Sequence, residues 1–240
     1  MKPALTRRPL RVPQHWHELP MGEWLAAEVQ ERLNAWCPMI FGYHLLKLGA
    51  LSSELSCQCS SIRQQSALAP AGAQLALLGD LEQLPIRDGA IDACLLAHAL
   101  DYAADPHQVL REVDRVLTAD GWVLISGFNP HSLLGLGALL PGLRQRHPWH
   151  ARLFAPERIR DWLELLGFEL MYCEQFGFSS FTNHSRIHWW RENIGRQYFG
   201  YFASVYVLAA RKRTIPLTPE HRERWVRKPV ILPGMAGVGG

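Results

Sequence analysis

The chain has 240 residues, 48% of them hydrophobic and 20% charged, with a formal net charge of +3, the profile of a soluble globular protein long enough to bury a sizeable core. No run approaches the roughly 18 apolar residues that a membrane span needs, and the basic start of the chain lacks the apolar stretch of a secretory signal, so no membrane span and a cytoplasmic location are expected. Five cysteines, an odd number whose closest pair is the C-x-C of Cys57 and Cys59, argue against a disulfide framework and a zinc ribbon, and no metal site is expected.

Residues 1–20 hold four prolines and no sustained periodicity, the pattern of an extended arm. Over 22–36, Trp24, Leu25, Val29, Leu33 and Trp36 recur at near-helical spacing with Glu23, Glu28, Glu31 and Arg32 on other faces, which predicts a helix leaning one side on the core. Residues 43–48 form a short apolar run closed by Gly49, a buried strand that opens into a loop. Only 24 residues, 50–73, precede the next strand-like run, QLALLGD at 74–80. Two parallel crossovers of about a dozen residues each, with a strand between them, do not fit there. At least one helix is therefore expected to be missing or reduced to a turn.

The next stretch is regular. Residues 91–97 are continuously apolar after the turn residues Asp88 and Gly89, as suits the centre of a parallel sheet. Asp105 is placed to cap a helix beginning at Pro106, with Gln108 as its capping-box partner. Val109, Leu110, Val113, Val116 and Leu117 make one apolar stripe that Asp120 and Gly121 end, ahead of a strand at 122–126. Residues 127–155 are interrupted by Gly and Pro and are longer than a minimal connection. A helix at 156–166 closed by Gly167, a strand at 168–173 and a last strand at 203–210 follow, with an aromatic insert at 176–202 that includes Trp189, Trp190 and Tyr198. The basic surplus is a property of the tail. Residues 211–240 hold seven Lys or Arg against Glu220 and Glu223, mixed with Pro and Gly, the composition of a solvated, flexible segment.

From 80 to 129 the order is Asp, three residues, Leu-Pro, a turn, a strand, Asp-Pro, a helix, Asp-Gly and a strand. This run resembles the core of class I S-adenosylmethionine-dependent methyltransferases of the type 11 group, and DWLELLGFEL at 161–170 is similar to that family's late helix and sixth strand. With FASVYVLAARKR as a seventh strand, the resemblance covers roughly residues 40–212. It implies an α/β, Rossmann-like methyltransferase fold: a mostly parallel seven-stranded sheet with helices on both faces and an abbreviated first half. The chain then divides into an N-terminal arm and helix (1–40), a methyltransferase-like domain (41–212) with inserts at 127–155 and 176–202, and a basic tail (213–240).

The implied cofactor is S-adenosyl-L-methionine. Position by position, the resemblance implies that Asp80 hydrogen-bonds the adenine amino group and that Leu81 offers the ring a neighbouring backbone N–H. It implies that Ala97 turns its backbone to the methionine part, and that Gly49, lacking a Cβ, lets the cofactor approach the chain. Three features depart from the family pattern. Lys47 stands where an acid is expected, Leu51 where a second loop glycine is expected, and between Gly49 and Gly79 the only acid is Glu54, so the carboxylate for the ribose has no candidate.

No catalytic residue carries over from the family. His98, Asp101, Tyr102 and His131 fall at strand ends or in the loops beside them, where α/β proteins place ligand-contacting groups. Each is open to two readings, contact with substrate or a role in capping and packing. The expected activity is methyl transfer to an unidentified small or lipid-like acceptor, to which the protein contributes alignment and a dry site. The alternative is a non-catalytic methyltransferase-like scaffold that binds a protein partner through the aromatic insert or the basic tail. Nucleic-acid binding is not expected, because the tryptophans beside Arg186 and Arg191 have no extended basic groove around them.

Overall fold

The computed structural model describes residues 5–6, 10–57, 61–71, 76–132, 134–135, 148, 150–177 and 203–213. The aromatic segment at 178–202, the tail at 214–240, Cys59 and the middle of the 127–155 insert lie outside the described residues, and with them the segments to which the scaffold alternative assigns a partner.

The strands are β1 (His44–Leu48), β2 (Gln64–Ala69), β3 (Leu77–Leu78), β4 (Ile91–Ala97), β5 (Leu117–Phe128), β6 (Phe168–Phe176) and β7 (Val205–Lys212). The helices are α1 (Gly22–Trp36), α2 (Ala50–Glu54), α3 (Pro106–Val116) and α4 (Pro156–Leu165). All seven strands join one sheet in the order β3-β2-β1-β4-β5-β7-β6. The pairs β1–β2, β1–β4, β2–β3 and β4–β5 are parallel, and β7 runs antiparallel to both its neighbours. The sheet is thus mostly parallel and Rossmann-like, as the resemblance implies. From β1 the order runs outward to β2 and β3 on one side and to β4 and β5 on the other. The boundary between β1 and β4 is therefore the switch point, where the carboxyl ends of the strands leave a crevice.

Burial on both faces explains why the central strands read as unbroken apolar runs. Ala93, Leu95 and Ala97 of β4 belong to the cluster shared with Leu25, Val29 and Leu33 of α1, while Cys94 and Leu96 belong to the cluster shared with Val109, Leu110 and Val113 of α3 and with Ile159 and Leu163 of α4. The first half is short, as the residue count requires. The helix α2 has five residues, and the seven residues between β2 and β3 leave no room for a helical crossover.

Three local expectations are corrected. The helix α3 stops at Val116 rather than at Asp120, and β5 starts at Leu117. Leu117 pairs with Ile91 and Trp122 with Ala93, so the residues between them bulge out of the ladder with Asp120 at φ 62°. Asp120 and Gly121 make a bulge inside a strand and do not terminate a helix. At the other end of α3, Asp105 accepts from His107 N (3.0 Å) and Gln108 N (3.1 Å) as expected of a cap. The reciprocal bond comes from elsewhere: Asp105 N donates to Glu82 Oε1 at 2.7 Å, and Gln108 Nε2 donates to Glu82 O at 3.2 Å. The loop after β3 runs past the helix start, so its carboxylate takes the amide that Gln108 was expected to take.

The third correction concerns the arm, which is not simply extended. It contains a 3-10 turn at Trp16–Glu18, with Trp16 and Leu19 buried. Trp16 Nε1 donates to Leu51 O at 3.0 Å, His15 Nδ1 lies 2.6 Å from Glu54 Oε1, and Thr6 N donates to Ala104 O at 2.9 Å. These bonds strap the arm across the turns that follow β1 and β4. Among the described residues, no helix is long and apolar enough to cross a membrane.

Candidate functional site

The turn after β1 is built around Gly49. Its φ of +92° lies in the region that disfavours a side chain, and a Cβ placed there would come within 3.3 Å of Ala99 Cβ. The turns after β1 and β4 therefore pack directly on each other. Ser52 locks this arrangement: its Oγ donates to Leu48 O at 2.6 Å and accepts Ala97 N at 2.7 Å, joining β1, α2 and the end of β4 through one buried hydroxyl. Lys47 Nζ donates to Leu55 O at 2.7 Å and so satisfies a carbonyl at the carboxyl end of α2.

At the end of β3, Asp80 is exposed and its Oδ1 accepts Glu82 N at 2.9 Å, which turns the chain back toward α3. Leu81 beside it is buried. At the end of β4, His98 adopts φ 52° and is fully buried. Its Nδ1 lies 3.1 Å from Asp101 Oδ2, and the same oxygen accepts Phe128 N at 3.0 Å. The imidazole packs against Phe128 at a centroid distance of 4.1 Å and meets the edge of Trp16 at 5.6 Å. Burial pushes the Asp101 carboxyl up from its ordinary value, and the bonds from His98 and Phe128 N–H oppose that rise only in part. Burial also holds the Tyr102 hydroxyl well above its ordinary range, with the neighbouring Asp101 and Glu18 adding to the effect.

A cavity of about 300 Å³ lies between these turns. Its wall includes Gly49, Asp80, Leu81 and Ala97, so the structure brings all four sequence-derived cofactor positions to one place. His98 and Tyr102 share the wall, and Asp101 stands behind His98. His131 is not among the lining residues; it is exposed in the turn after β5, where its amide donates to Asn129 Oδ1 at 3.0 Å. Val12 and Pro13 of the arm and Pro70 after β2 also line the cavity, and sequence reasoning missed all three. An aperiodic, proline-rich arm gives no local sign of what it packs against. Ser52 was missed for a related reason, since a serine in a short helix is indistinguishable from a solvated one until β4 is laid beside it.

A model described as a methyltransferase domain matches residues 51–125, from Leu51 on the cavity wall into β5. Over nearly the full length, the chain is 37% identical in 231 residues to the uncharacterized protein YafS of Escherichia coli (strain K12), covering 96% of this chain and 94% of YafS. The chain belongs to the class I S-adenosylmethionine-dependent methyltransferases, type 11 group. Its fold is shared with distantly related solved structures. The methyltransferase bound to the Trm112 activator of Haloferax volcanii superposes with a TM-score of 0.59 at 15% identity, covering 82% of this chain and 94% of that one. A SAM-dependent methyltransferase from Archaeoglobus fulgidus gives 0.56 at 18% identity, covering 78% and 94%.

The wall carries the four positions that the family resemblance assigns to the adenine and methionine parts of its cofactor. Asp80 has an exposed carboxylate beside Leu81, and Gly49 puts no Cβ on the wall near Ala97. The ribose side differs. Pro70, which has neither donor nor ionisable group, stands on the wall directly after β2, and from Leu55 to Gly79 the sequence holds no acid. Glu54 is turned to the arm, paired with His15.

Proposed function

We propose that this protein transfers a methyl group from S-adenosylmethionine to a small or lipid-like acceptor bound in the same crevice. When bound, S-adenosylmethionine supplies a methyl carbon made electrophilic by its sulfonium. The observation that carries the reading is the convergence of Gly49, Asp80, Leu81 and Ala97 on one cavity at the switch point of the sheet. Asp80 has an exposed carboxylate suited to the adenine amino group, with the Leu81 amide beside it for the ring. Gly49 and Ala97 let backbone, rather than side chain, face the methionine end.

The remaining contributions are alignment and exclusion of water. The turns after β1 and β4 are fixed against each other by Ser52 and by the Gly49–Ala99 contact, so an acceptor and a methyl donor held between them keep one geometry. Val12 and Pro13, anchored by buried Trp16, cover the cavity and leave a largely apolar environment. Calorimetric titration with S-adenosylhomocysteine tests the reading. Saturable binding that weakens about tenfold or more in Asp80→Ala is expected, the size of one hydrogen bond to a charged group.

A further inference from the structure

Three buried polar atoms around the end of β4 have no hydrogen-bond partner among the described residues: His98 Nε2, Asp101 Oδ1 and Ser126 Oγ. Orphaned polar groups are exceptions in a folded protein, and each calls for an explanation. His98 directly follows β4, Ser126 lies in the neighbouring β5, and His98 N donates to Ser126 O at 2.9 Å. His98 is also a non-glycine residue held at φ 52°, a conformation that costs free energy and persists only where the surroundings enforce it. A histidine serving only to tie β4 to β5 would need its Nδ1 and nothing more. It would not need to form part of a cavity wall with its other nitrogen unsatisfied.

The tautomer follows from the partners. As a carboxylate, Asp101 has only acceptors, so its Oδ2 takes both the Phe128 N–H and a proton carried on His98 Nδ1. Nε2 is then left with a lone pair. The ring is held in place by Phe128 on its face and Trp16 at its edge. Titratable neighbours from the packed elements are Tyr102 of the same turn and Tyr206 of β7, both raised by burial and thus uncharged near neutral pH, with Glu18 of the arm acting on Tyr102. The cavity wall carries the acids Asp80 and Glu82 and, among the described residues, no Lys or Arg. An anionic acceptor would find no counter-charge there.

We propose that His98 Nε2 accepts the acceptor's proton during methyl transfer, that Asp101 is the positioning residue that fixes its tautomer, and that the acceptor is an uncharged hydroxyl or phenol rather than a carboxylate. This rests on the methyl-transfer reading above. As the acceptor oxygen bonds the methyl carbon, the carbon–sulfur bonding pair stays with sulfur and the hydroxyl proton passes to Nε2. The imidazolium keeps its Nδ1–H on Asp101 and returns the extra proton to water after product leaves.

The test is ¹⁵N imidazole NMR of the full chain saturated with S-adenosylhomocysteine near neutral pH. Nε2 of His98 is expected at the shift of an unprotonated nitrogen, and Asp101→Asn is expected to abolish that preference. Millimolar 4-methylphenol should move the Nε2 resonance while millimolar benzoate leaves it in place. A proton on Nε2, no response to 4-methylphenol, or an equal response to benzoate overturns the proposal while leaving the methyl-transfer reading intact. Absence of S-adenosylhomocysteine binding in parallel calorimetry removes both.

Discussion

Asp101 shows how a single side chain couples the site to stability. Its carboxyl is raised above the ordinary 3.8 because burial outweighs the bonds from His98 and Phe128. A raised carboxyl pKa means that the folded state binds more protons than the unfolded state over the interval between the two values. Its contribution is therefore full below the ordinary value and is lost as pH rises toward the folded value. Asp101→Asn removes the ionisation, so the urea midpoint of the wild type relative to this variant should fall as pH rises above the ordinary carboxylate value of about 4; a difference that stays constant on raising the pH would contradict the assignment. At this scale the sequence was partly legible. Asp105 was readable as a cap because Asp-Pro before an apolar stripe is a local signal, whereas its reciprocal partner Glu82 comes from a loop some twenty residues upstream and leaves no local trace. His98 could be placed at a strand end, but neither its positive φ nor its bond to Asp101 is written in the surrounding residue types.

Among the elements, the abbreviated first half was legible by counting, since chain length limits what can be built between two parallel strands. Its consequence for the site is that Pro70 follows β2, with no carboxylate for the ribose. Pro70→Asp should therefore tighten S-adenosylhomocysteine binding by roughly tenfold or more, the worth of a charge-assisted hydrogen bond, and unchanged or weaker binding in calorimetry would show that the ribose lies elsewhere. The arm was not legible as a structural element. Its anchor, Trp16, contributes a buried ring and a hydrogen bond to Leu51 O that depend on residues 35 positions away. Trp16→Ala should cost about 3–5 kcal/mol in chemical denaturation, in the range of large-to-small core changes. The same variant should also bind S-adenosylhomocysteine more weakly, because the arm then no longer closes the cavity. Weakened folding with unchanged affinity would restrict the arm to a packing role.

For the whole molecule, the sheet order brings the end of β4 and the turns that follow β1 and β3, far apart in sequence, to one crevice, and covers it with a segment that precedes all of them. The regular half, with its strand, capped helix and strand, identified the family because its signals are local and periodic. The eroded half decided the character of the site, because its departures concern what is missing from the ribose contact. The central claim is that the crevice holds the family's methyl donor despite those departures. Calorimetric titration of the full chain with S-adenosylhomocysteine tests it most directly: the account expects saturable one-to-one binding that Asp80→Ala weakens about tenfold or more, and absence of saturable binding up to millimolar ligand would contradict it.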